Sequence, residues 1–85
     1  MRFQNVVRAL QEVQGFPGYK VLEDSPGAGA EFHRGVEATV RASMQDNAGV
    51  ADVDQRLLSL RVLCVGELAI YAPHIDRALE ALHAT

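Results

Sequence analysis

Phe32-His33-Arg34-Gly35-Val36-Glu37-Ala38-Thr39-Val40-Arg41-Ala42-Ser43-Met44 is the stretch on which the reading of this chain turns. Phe32, Val36, Ala38, Val40, Ala42 and Met44 hold even positions. His33, Glu37, Thr39, Arg41 and Ser43 hold odd ones, and only Arg34 breaks the even set. Side chains alternate across a pleated strand, so the pattern predicts a long antiparallel strand with one face buried and one wet. As a helix, the same apolar set would wrap around the whole cylinder. Arg34-Gly35 fits a bulge or a bend.

Beyond this stretch, Asp46 to Gln55 is polar and holds Gly49 with three acids, Asp46, Asp52 and Asp54, and no base. It reads as an exposed loop, long for a hairpin connection and therefore a place for function. Arg56 to Val65 is rich in Leu and Val on both faces, as in a strand that is central in its sheet or covered by a partner. Gly66-Glu67 suits a turn into a short strand, Leu68 to Tyr71. Leu68, Ala72, Ile75, Leu79 and Leu82 also keep helical spacing, so residues 67–72 stay open between strand and helix. Pro73 disfavours helix at Ala72 and suits a first helical turn. The last helix is therefore placed from about Pro73 to Ala84, burying Ile75, Ala78, Leu79 and Leu82.

On the other side, Ser25-Pro26-Gly27-Ala28-Gly29 is a turn, and Tyr19 to Leu22 a short β-prone run that would pair through it as a hairpin. Phe3, Val6, Val7, Leu10 and Val13 make one helical stripe, ended by Gly15 and Pro17. The order is α-β-β-β-(β)-α. The fold class expected is α+β: one domain over residues 1–85, an antiparallel three- to four-stranded sheet with the N-terminal and C-terminal helices packed on one face.

Composition narrows function mostly by exclusion. The chain has 85 residues, 8 Lys plus Arg against 11 Asp plus Glu, and a net charge of −3. That balance opposes a protein that works by neutralising many phosphates, so a nucleic-acid partner is not expected. No apolar run is long enough to span a membrane. No secretory leader is read at Met1 to Val13, and the single cysteine, Cys64, fits a small buried hydrophobe in a reducing cytoplasm.

No constellation announces chemistry. His74 and His83 lie nine residues apart and His33 far from both, so three or four converging zinc ligands are not expected. Asp46, Asn47 and Gly49 echo a calcium loop without its remaining ligands. Gly27-Ala28-Gly29 lacks the following Lys-Ser or Lys-Thr of a phosphate loop. Ser25, Ser43 and Ser59 have no predictable base. No catalytic residue, metal or cofactor is assigned. A small enzyme would have to use His33, read on the wet sheet face, or His74, read as facing solvent, beside a carboxylate.

Leu10-Gln11-Glu12, Gly15, Pro17, Tyr19, Val21, Glu23, Pro26-Gly27, Phe32, Val36 and Val40 together resemble the first half of the double-stranded RNA-binding domain. The resemblance implies a helix, three strands and a helix, and a last helix opened by phosphate-gripping lysines. That place reads Pro73-His74-Ile75-Asp76-Arg77 here. A degenerate module of this topology is the second functional reading.

The first is a small non-catalytic protein-interaction module, a regulator, inhibitor or assembly subunit, of which an immunity or anti-defence protein is one version. Its partner would be another protein or a second copy, since an 85-residue fold gains buried area by homodimerising. The expected contact residues are His33, Glu37, Thr39 and Arg41 on the wet strand face, with Asp46, Asp52 and Asp54 in the acidic loop.

Overall fold

Gln4–Gln14 forms a first α-helix (α1) whose stripe of Val6, Val7, Leu10 and Val13 is buried. The remaining helices are α2, Ala28–Ser43, α3, Val50–Leu63, and α4, Ala72–His83. Two 3-10 segments, Lys20–Asp24 and Gly66–Tyr71, join α1 to α2 and α3 to α4. This is a computed structural model, and it describes residues 2–84. Among them there is no strand, so the α+β expectation is overturned: the domain is all-helical.

The long strand expected at Phe32 to Met44 is α2. Its buried residues are Phe32, Val36, Thr39 and Ser43, spaced by four, three and four. That is the stripe of a helix, not of a strand. The alternation misled because it counted Thr39 and Ser43 as wet. Each hydroxyl instead donates to the carbonyl one turn back, Thr39 Oγ1 to Gly35 O and Ser43 Oγ to Thr39 O, both at 2.7 Å. Satisfied this way, a small polar side chain enters the core at little cost. Ala38 and Ala42, counted as the dry face, are excellent helix formers that sit only half-buried.

The strand expected at Arg56 to Val65 is most of α3, and Leu68 to Tyr71 lies in the second 3-10 segment. Tyr19 to Leu22 enters the first 3-10 segment instead of a hairpin. The Ser25–Gly29 turn opens α2, where Gly27 takes φ +66°, a left-handed conformation open to glycine. The acidic loop is shorter than expected, because α3 begins at Val50 and absorbs Asp52 and Asp54. The terminal helices each lie one residue from their expected bounds.

α4 packs most on α1 and next on α3, and α3 also packs on α2. α2 and α3 run antiparallel and close together at Gly35, where an added Cβ would stand 2.6 Å from Leu60 Cδ2. The core joins Leu10 and Phe3 to Phe32, Val36, Leu57, Ile75 and Leu82. Phe32 stacks on Tyr71 at 5.1 Å, and Phe16 meets the same ring edge-on at 5.1 Å.

Candidate functional site

α2 places His33, Glu37 and Arg41 four residues apart, on one side of the helix. With Glu23, Arg34 and Ala38 they line an open depression of about 500 Å³. Glu37 is held from two other elements. Its Oε2 accepts the Tyr19 hydroxyl at 2.9 Å and the Gln14 amide at 2.7 Å. The Tyr19 hydroxyl also lies 3.3 Å from the His33 carbonyl, and the Tyr19 and His33 rings stack at 4.6 Å. His33 Nε2 stands 3.9 Å from Glu23 Oε2.

The electrostatics follow from this wiring. Partial burial pushes the Glu37 carboxyl up, but the hydrogen bonds from Gln14 and Tyr19, with the nearby His33 and Arg41, outweigh it and hold Glu37 below the usual carboxylate range. Burial, then the neighbouring Glu37 carboxylate, pushes the Tyr19 phenol far above its ordinary value. Glu37 is thus an ionised acceptor for fixed donors, which suits a latch between α1, the first 3-10 segment and α2. The depression beside it contains acids and bases but no hydroxyl or thiol nucleophile.

The other expected contact residues scatter. Thr39 is 1% exposed, in the core between α2 and α3. Asp46 is exposed just past α2. Asp52 sits in the first turn of α3, paired with Arg56 at 3.0 Å. It shares a polar depression of about 440 Å³ with Arg41, Gln45 and Asn47. Asp54 reaches α4, where its Oδ1 lies 2.8 Å from His83 Nε2. Arg41 and Asp52 are therefore brought to one place, while Asp54 and Thr39 are not.

His74 is not a free surface residue. Its Nδ1 is 3.2 Å from Glu12 Oε1, Arg77 pairs with the same carboxylate, and the ring stands edge-on to Phe16 at 5.1 Å. Both histidines considered for catalysis therefore meet a carboxylate, and each such pair bridges two elements. Cys64 is buried, its thiol donates to Leu60 O at 3.3 Å, and burial pushes its pKa up. Such a thiol is unreactive. Among the described residues no group of three His, Cys, Asp or Glu could hold a metal ion.

The surface the expected contact residues did not include is the outer face of α3. Val53, Leu57, Leu60 and Cys64 point inward and are buried. Leu58, Val62 and Val65, spaced by four and three, are 49%, 75% and 69% exposed. Leu58 and Val62, one turn apart, share an outward stripe of α3, and Val65 follows in extended backbone past the helix end. Val62 also lines a groove of about 410 Å³ between α2 and α3. The signal for it was present in the two apolar faces of Arg56 to Val65. The Tyr19–Glu37 latch, by contrast, joins residues 18 apart with nothing local to mark it. Compared with known proteins, the chain matches no family model, no curated protein and no solved structure.

Proposed function

We propose that the chain is a non-catalytic protein-interaction module whose contact surface is the outer face of α3. The observation that carries this reading is that α3 is apolar on both sides, with Leu58 and Val62 in contact with solvent and Val65 exposed just past its end. A surface helix normally presents polar residues outward, and a stripe of large aliphatic side chains there marks a binding surface. The titratable side chains support a structural role for themselves. Glu37, Glu12 and Asp54 each hold a neighbouring element in place. The unpaired buried thiol of Cys64 supports a cytoplasmic setting.

The test is a photo-crosslinking amino acid at Val62, with the same probe at exposed Glu80 on α4 as the control. In native lysate the α3 probe should give discrete adducts, to another protein or to a second copy, that the α4 probe does not. Equal, diffuse labelling from both positions would overturn the reading.

A further inference from the structure

The groove beside the α3 stripe has a polarity of its own. Its α2 side carries Glu31, Gly35, Ala38 and Thr39, and its α3 side Arg56, Ser59, Leu60, Val62 and Leu63. Gly35 and Leu60 meet at its middle. Glu31 stands one helical turn from Gly35, and Arg56 one turn from Leu60. Because α2 and α3 are antiparallel, the acid and the base lie at opposite ends, roughly 12 Å apart along the groove at 1.5 Å per residue.

We infer that the occupant of this face is a second copy of the chain, docked about a two-fold axis crossing the groove at the Gly35–Leu60 level. This deepens the interaction-module reading and rests on it. A two-fold interface must be self-complementary, each patch meeting its own image. The face meets that condition twice. It carries a projecting aliphatic side chain, Val62, at the edge of a groove lined by Gly35 and Ala38, with exposed Leu58 one turn along the helix. The two-fold also reverses the groove end for end, bringing Glu31 of each copy to the level of Arg56 in the other.

Both charges are available. Glu31 makes no ion pair among the described residues. Arg56 engages Asp52 through Nε, and the guanidinium has further donors on its terminal nitrogens. An unrelated partner would need a matching acid and base at the same spacing, whereas a second copy supplies them by symmetry. The contact also serves a general need of so small a domain, which buries a modest fraction of its surface alone.

The experiment is sedimentation of the purified full chain from about 10 μM to 1 mM, for wild type, Val62→Lys, Glu31→Arg, Arg56→Glu and the double reversal Glu31→Arg/Arg56→Glu, a concentration range within which weak dimers dissociate. Wild type should approach twice 9.2 kDa. Val62→Lys should weaken association at least ~10-fold, each single reversal about 5-fold, and the double reversal should recover to within about 2-fold of wild type. Circular dichroism confirms that each variant keeps its helices. A monomer at every concentration, or a double reversal as weak as the sum of its singles, overturns the proposal. A monomer that still crosslinks through position 62 to a different protein overturns the second copy alone and leaves the interaction module standing.

Discussion

The Tyr19 hydroxyl donates to Glu37 Oε2 at 2.9 Å, tying the segment that follows α1 to the middle of α2. The same oxygen accepts the Gln14 amide at 2.7 Å, so one carboxylate fastens three stretches of chain. Hydrogen bonds to an ionised acceptor are the strong ones in a folded protein.

Removing the donor therefore tests the latch. Tyr19→Phe keeps the ring over His33 and takes away the hydroxyl. Urea unfolding at pH 7 should show a loss of about 1.5–3 kcal/mol, the range for hydrogen bonds to charged groups. Glu37→Gln should cost less, and the double variant less than the sum of the singles, because the two share one interaction. Additive losses would separate the two residues.

Acid should release the same latch. Glu37 binds its proton less readily folded than unfolded. Its stabilisation is therefore complete above the unfolded value of about 4.3 and is lost as pH falls through the lower folded value. Urea midpoints measured from pH 7 down to pH 3 should converge for wild type and Glu37→Gln at the acid end. A constant gap over that range would place the difference outside ionisation.

Alkali acts through the partner. The Tyr19 phenol holds its proton more tightly folded than unfolded, chiefly through burial, so its contribution is full below about pH 10 and declines as pH rises above it. Tyr71 is shifted the same way by burial. Unfolding midpoints from pH 8 to 11 should fall for wild type, and less steeply for Tyr19→Phe, with the remaining slope due in part to Tyr71. Parallel slopes for the two proteins would contradict the shift.

The two faces of α3 should respond oppositely to truncation. Leu57 is fully buried, and Leu57→Ala should lose about 2–5 kcal/mol, enough to unfold much of so small a domain. Val62→Ala, on the exposed face, should stay within about 0.5 kcal/mol when measured at micromolar concentration, where association does not contribute. Thermal melts followed by circular dichroism would separate the two at once.

The terminal helices were legible because their stripes are built from large aliphatic residues with clear stops, Gly15 and Pro17 after α1 and Pro73 at the head of α4. α2 was not, and the cause is specific. Its buried stripe is half hydroxyls, and Ala38 and Ala42 carry no information about which face is wet. A residue whose polarity is met by its own backbone looks exposed to any count of polar and apolar positions. Arg56 to Val65 was misassigned as a strand for a different reason: apolar on every side, it has no periodicity to separate helix from strand. Its excess of apolar surface was legible all the same, and pointed to a need for cover that α3 still has. The side-chain pairs Glu12–His74, Asp54–His83 and Glu37–Tyr19 span 62, 29 and 18 residues. Only the packing of the helices brings such distant residues together.

Solvent access to the α3 methyl groups at high protein concentration tests the proposed self-association most directly. A soluble paramagnetic probe broadens methyl resonances in proportion to their exposure. At about 1 mM protein, a concentration that populates even weak dimers, the Leu58 and Val62 methyls should be shielded from it. Those of Met44 and Ile70, which are exposed and lie off α3, should be broadened. On dilution Leu58 and Val62 should join them. Equal broadening of all four at every concentration would contradict the account.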